Sequence, residues 1–192
     1  MNESTKIQVV KKAIKVLNKG GVILYPTDTI WGIGCDPNNE TAIDKIYSIK
    51  KRSHKKPLII LIHDEGLLLN YVKRVPNIAK KIIKEDKVPT TIIYKQPINL
   101  PNCFIKHKTI GIRVVKKHCI NMLLRHFGKA LTSTSANISN STNPLFFEDI
   151  HDDVKNAVDY IIPKTFTEGE TMNKASKIIK INTEERIDII RD

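Results

Sequence analysis

The sequence predicts an α/β fold in one domain spanning residues 1–192, and three observations carry that expectation. Short apolar runs rich in β-branched residues alternate along the chain with runs whose apolar residues recur every three or four positions, the pattern of strands and the helices that cover them. The chain of 192 residues is 41% hydrophobic, enough to bury a core of ordinary size and too apolar for a disordered chain. No Pro/Gly/Ser-rich linker, repeat or heptad run divides it.

Taken in order, Ile7, Val10, Ala13, Ile14 and Leu17 mark an amphipathic helix, which the Gly20-Gly21 pair ends with a left-handed cap and a turn. Residues 22–25 form a buried strand stopped by Pro26, so Thr27, Asp28 and Thr29 place three side-chain oxygens at its carboxyl end, where ligands bind in open α/β sheets. A polar loop then leads to a second helix carried by Ala42, Ile43, Ile46, Tyr47 and Ile49, with Asn38 or Asn39 as its cap.

That helix runs into a basic turn containing Lys50, Lys51, Arg52, His54, Lys55 and Lys56. Cations at a helix carboxyl end are favoured by the dipole, which needs no ligand to explain it. Residues two apart, however, share one side of an extended segment, so a helix ending near Lys50 would let Lys50 and Arg52 converge on one polyanion. Pro57 then opens the strand at 58–62.

Beyond it, Asp64 can cap a helix through Val72, Pro76 opens a helix bearing Ile78, Ala79, Ile82 and Ile83, and residues 90–94 read as a strand. Residues 99–108 read as a loop. Thr109–Val114 alternates Thr109, Gly111 and Arg113 against Ile110, Ile112 and Val114, which turns Arg113 away from the apolar side. Cys119, Met122, Leu123 and Phe127 give a helical stripe ended by Gly128, and residues 130–134 a strand of small residues. As the chain leaves that strand, Ser135 and Asn137 share a face and offer a hydroxyl and an amide. The remainder predicts a short helix at 147–154 and strands at 158–162, 176–181 and 187–190.

The net charge of +12 attracts nucleic acid, nucleotides or acidic surfaces, although 26 of the 32 cations are lysines in a chain also rich in Ile and Asn, a bias that codon composition produces by itself. Cys35, Cys103 and Cys119 show no paired spacing, which argues for a reducing, cytoplasmic setting and against a structural zinc site. No stretch of ~18 apolar residues predicts a membrane span, and the amino terminus does not read as a secretory signal.

Tyr25-Pro26-Thr27-Asp28-Thr29-Ile30-Trp31-Gly32-Ile33-Gly34, then Lys50-x-Arg52, Lys56-Pro57-Leu58, Thr109–Val114 and Ser133-Thr134-Ser135-Ala136-Asn137, together resemble the YrdC-like family of threonylcarbamoyl-AMP synthases. The resemblance covers residues 7 to about 140. It implies a twisted mixed sheet flanked by helices around a basic concave groove. It also implies the synthesis of threonylcarbamoyl-adenylate from L-threonine, bicarbonate or CO2, and ATP, with loss of pyrophosphate, for t6A modification of tRNA. Carried onto this sequence, Lys50 and Arg52 serve catalysis and the phosphates, Thr27, Arg113 and Ser135 hold threonine, and Thr109 and Asn137 contact the nucleotide. No protein metal site is implied, Mg2+ arriving with ATP. Partners in that setting are tRNA or double-stranded RNA and the downstream t6A transferase proteins. Two other readings stay open, an RNA-binding module using the same groove and a carbamoyl-transfer domain of the hydrogenase-maturation type.

The sequence also departs from the family pattern. Leu61 stands where the family has His, with His63 two residues on; Trp31 replaces a common Tyr; residues 85–89 replace a Gly-rich turn; and the Gly-x-Pro after Asn137 is missing. Ser176 offers a match to the family's late serine, although Lys177 follows it.

Overall fold

The computed structural model describes residues 1–85, 87–116, 118–167, 174–182 and 186–192. Asp86, within the segment 85–89 noted above, lies outside them. In chain order the elements are α1 (Glu3–Asn18), β1 (Ile23–Tyr25), β2 (Gly32–Gly34), α2 (Glu40–Ile49), β3 (Ile59–Ile62), α3 (Asn77–Glu85), β4 (Thr90–Lys95), α4 (Asn102–Ile105), β5 (Thr109–Val114), α5 (Ile120–Phe127), β6 (Leu131–Ser135), α6 (Asp152–Ala157), β7 (Tyr160–Ile161), β8 (Lys177–Ile181) and β9 (Ile187–Arg191). The described strands make one sheet in the order β7-β1-β2-β6-β3-β5-β4-β8-β9. It is mixed: β1 with β7, β3 with β5 and β4 with β8 are parallel, and the other neighbours antiparallel. No helix among the described residues is long and apolar enough to cross a membrane.

Strand alternation divides the core in two. Leu24, Ile33, Ile60, Ile62, Ile92 and Ile112 point to one face, under Ala42, Ile43 and Ile46 of α2 and Ala79 and Ile83 of α3. Ile23, Tyr25, Leu61 and Leu131 point to the other, under Val10, Ala13 and Leu17 of α1 and Leu123, Leu124 and Phe127 of α5. Among the described residues β4 and β8 add nothing to this second core, so α1 and α5 cover only part of that face. The uncovered part carries polar side chains among a few apolar ones. From Leu61 at the margin of the covered core the register runs on to Arg113 and Thr91, and next to them Ile59 and Ser133, with Gly32 opposite Ser135.

Most elements fall where the sequence placed them: Asn39 caps α2 by accepting from Ala42 N, and Gly20 and Gly128 take the left-handed conformation at helix ends. Four expectations are corrected. Residues 64–72 form a 3-10 helix at Glu65–Asn70, capped by Asp64 through Gly66 N and opened by the three-residue bond from Leu67 N to Asp64 O, with Gly66 lowering the helix propensity of its first turn. Residues 99–108 contain the short helix α4. The helix expected at 147–154 begins instead after His151, whose ring accepts from Asp153 N, while Phe147 packs on Trp31 at 4.9 Å between ring centroids. The loop after β1 returns as the strand β2, which its two glycines concealed from any side-chain pattern.

Those glycines are required by packing. A Cβ on Gly34 would lie inside contact distance of Thr132 O and 2.9 Å from Tyr25 Cε1, and one on Gly32 3.3 Å from Tyr25 Cζ. The Tyr25 ring lies across both, donating to Thr132 O at 3.2 Å. Gly34→Ala therefore forces backbone apart at the sheet centre and should destabilise the protein by about 3 kcal/mol, the upper range for overpacking. Gly128→Ala strains only a φ of +73° in open space and should cost about 1 kcal/mol. Urea midpoints of the two variants check the ranking, and equal losses would contradict it.

Candidate active site

The site begins in the loop between β1 and β2, which folds around its own hydroxyls. Thr27 Oγ1 donates to Ile30 O at 2.7 Å and accepts from Thr29 N at 3.0 Å, so the loop closes on a side chain where a turn of backbone bonds would otherwise be needed. Thr29 Oγ1 lies 2.8 Å from Thr27 Oγ1 and accepts from Arg113 Nη1 at 2.9 Å. Asp28 completes the arrangement with Oδ1 3.0 Å from Arg113 Nη2. Arg113 is only 3% exposed, so the neighbouring Asp28 carboxylate is what lets a guanidinium sit at this depth. Its Nε is buried and has no hydrogen-bond partner among the described residues.

In front of this pair lies a cleft of about 210 Å³, lined by Thr27, Thr29, Arg52, Arg113, Ser133, Ser135, Ser176 and Arg191, with Trp31, Ile59 and Ile178 as apolar walls. Arg52 is held by two bonds, from Nε to Lys56 O and from Nη2 to Pro57 O, each 3.1 Å, which leaves the other donors of its fork to the cleft. Arg191 arrives from the last strand and donates to Ser176 O through Nε at 3.0 Å and Nη2 at 2.7 Å. Ser176 Oγ in turn pairs with Thr91 Oγ1 at 2.9 Å. Burial, and after it the nearby Arg113 charge, lowers the Arg191 pKa, and burial lowers that of Arg52. Crowded guanidiniums of this kind are relieved by an anion, and the described lining residues include no carboxylate or histidine to supply one.

Of the residues singled out in the sequence, the cleft brings together Thr27, Arg52, Arg113 and Ser135. Lys50 lies behind its wall, 1% exposed, with Nζ donating to Ser135 O, to Asn137 O at 2.7 Å and to Asn137 Oδ1 at 3.1 Å. Asn137 also sits outside the lining, its Nδ2 donating to Ser141 O at 2.6 Å. Thr109 lies at the far end of β5 from Arg113, on the same strand face and beyond the cleft.

The extended basic turn is a further correction. The segment is a helix terminus: Lys51 adopts φ +48°, with Lys51 N donating to Ser48 O and Arg52 N to Tyr47 O, the paired bonds of a left-handed helix cap with lysine at the position usually given to glycine. Lys50, still helical, continues the buried face of Ile43 and Ile46, and the reversal after it turns Arg52 to the cleft. Leu61 belongs to the core under α1 and α5. His63 follows it beyond the end of β3 and does not line the cleft. Ser133 lay within a recognised motif, and Ser176 was the late serine noted above. Arg191 gave no local signal, because its place depends on β8 and β9 joining the edge of β4.

The chain matches the family model Sua5/yciO/yrdC, described as telomere recombination, over residues 15–192, and it belongs to that family. A threonylcarbamoyl-AMP synthase of Pseudoalteromonas translucida is 37% identical over 138 residues, 69% of this chain and 73% of that protein. Among solved structures, Sua5 of P. abyssi complexed with L-threonine superposes with a TM-score of 0.83 at 25% identity, over 95% of this chain. This chain spans about half the length of that Sua5, 53%. E. coli YciO superposes with a TM-score of 0.78 at 26% identity, over 96% of this chain and 89% of YciO.

Asp28→Asn should expose the dependence of Arg113 on its partner. Removing one member of a buried ion pair typically costs about 3 kcal/mol or more, because the other charge stays buried. Lys45→Ala breaks the half-exposed pair with Asp159 and should cost about 1 kcal/mol or less. Denaturant unfolding of both variants checks this, and an Asp28→Asn loss no larger than that of Lys45→Ala would contradict it.

Proposed function

We propose that the chain is an L-threonylcarbamoyladenylate synthase, making threonylcarbamoyl-AMP and pyrophosphate from L-threonine, bicarbonate or CO2, and ATP, for t6A modification of tRNA. The observation that carries the reading is one cleft in which a pinned arginine, several hydroxyl side chains and two further guanidiniums face the same small volume. The P. translucida relative named threonylcarbamoyl-AMP synthase and the Sua5 structure with L-threonine support it.

In this reading Arg113 takes the threonine carboxylate, and Thr27 and Ser135 orient its amine and hydroxyl. The volume of about 210 Å³ suits an amino acid and is below the roughly 300–1,000 Å³ of pockets that hold larger ligands, so the nucleotide extends outward past Arg52. Thr109 and Asn137 belong to that outer, nucleotide-facing region. The threonine ammonium loses one proton to water, the resulting amine adds to the carbon of CO2 as a C–O π bond gives its electrons to oxygen, and the nitrogen loses a second proton to water to leave a carbamate. A carbamate oxygen then attacks the α-phosphorus, the bond from that phosphorus to the bridging oxygen breaks, and pyrophosphate leaves with the bond's electrons.

Negative charge gathers on carbamate, α-phosphate and leaving group together, and Arg52 and Arg191, with the Lys50 charge behind them, are fixed before the reaction begins. Positioning and charge perform the step without a general base from the lining residues. Mg2+ enters with ATP as part of the substrate, since Asp28, the carboxylate at this site, is already committed to Arg113.

Pyrophosphate release from ATP and bicarbonate, measured with each amino acid in turn, tests the proposal. Threonine should exceed serine by the worth of one methyl, about 1–3 kcal/mol in kcat/KM. Arg52→Ala should remain folded and lose roughly 100-fold or more, while Lys51→Ala, whose side chain is exposed, stays near wild type. Equal rates with serine, or equal mild losses in both variants, would overturn the assignment.

A further inference from the structure

We propose that Lys50 is a positioning residue that staples the turn at residues 135–137 to the end of α2 and makes no direct contact with phosphate. This rests on the reading of the cleft given above and assigns a different task to one of its cations.

An ammonium group has three N–H donors, and Lys50 Nζ has three oxygens around it: Ser135 O, Asn137 O and Asn137 Oδ1. No donor is left over. The bonds converge from a side chain that is 1% exposed and is absent from the cleft lining, whereas Arg52, two residues on, lines it. Main-chain pairing strengthens the same junction, with Ser139 N donating to Lys50 O at 2.8 Å. The staple reaches the ligand side through Asn137 Oδ1, which also accepts from Ser135 Oγ at 2.6 Å. By holding Asn137, Lys50 therefore fixes the direction of the Ser135 hydroxyl that faces the cleft. Swinging Nζ out to a phosphate would give up all three of these bonds at once. Burial, and after it the Arg52 charge, pushes the Lys50 pKa down to about 7, in keeping with a group whose charge is costly where it stands.

The test separates phosphate contact from positioning. Wild-type protein is first assayed for threonine-dependent pyrophosphate release; failure there removes the functional reading and leaves the staple to be judged on binding alone. Inorganic pyrophosphate with Mg2+ is then titrated calorimetrically into wild type, Lys50→Met and Arg52→Ala. Arg52→Ala should weaken pyrophosphate binding about tenfold or more, and Lys50→Met less than about threefold. In the assay Lys50→Met should raise the KM for threonine and lower kcat/KM about tenfold or more, because the Ser135 hydroxyl is no longer held. Pyrophosphate affinity falling as far in Lys50→Met as in Arg52→Ala would overturn the proposal, as would unchanged threonine kinetics. Should Lys50→Met fail to fold, a crystal structure of wild type with magnesium pyrophosphate decides: Nζ stays on Ser135 O and Asn137 O if the proposal holds, and moves onto a phosphate oxygen if it does not.

Discussion

A guanidinium cannot be buried near the middle of a sheet without a counter-charge, and Arg113 is where this chain meets that constraint. Its side chain leaves β5 on the face that α1 and α5 do not cover, and it is held by Asp28 and Thr29 from the loop after β1. These strands are not neighbours, since β2, β6 and β3 lie between β1 and β5. The ion pair therefore joins distant parts of the sheet and fixes the loop that carries Thr27. The guanidinium is thus held in one orientation before any ligand arrives, which lowers the ordering cost of receiving a carboxylate.

Partial cover of one sheet face follows from the same economy of side chains. Toward β1 and β6 that face carries Ile23, Tyr25 and Leu131, which require helices over them. Toward β5, β4 and β8 it carries Arg113, Thr91 and Ser176: Thr91 pairs with Ser176, Ser176 with Arg191, and Arg113 with Asp28 and Thr29, so they need no apolar cover. The fold thus leaves its cleft where the strands change from apolar to polar on one face, and the basic turn after α2 closes the rim with Arg52.

Much of this was legible in the sequence, because strand and helix periodicities follow from burial, and burial decides most of the chain. The strand of Arg113, the cap at Asn39 and the strand ending at Pro26 could be read from neighbours alone. Three features could not. The strand β2 is Gly-Ile-Gly, whose glycines are dictated by Tyr25 lying across them and leave no alternation to see. The parting of Arg52 from Lys50 depends on Lys51 taking a left-handed conformation that favours glycine. Arg191 reaches the cleft only through pairing of β8 and β9 at the edge of β4, a long-range arrangement that no local spacing encodes.

The most direct test of the central claim is the structure of the protein crystallised with saturating L-threonine. The account predicts the amino-acid carboxylate within about 3 Å of Arg113, with the Asp28 ion pair kept and the ligand hydroxyl and amine toward Thr27 and Ser135. Threonine with its carboxylate on Arg52 or Arg191, or a cleft that stays empty at saturation while Arg113 remains closed on Asp28, would contradict it.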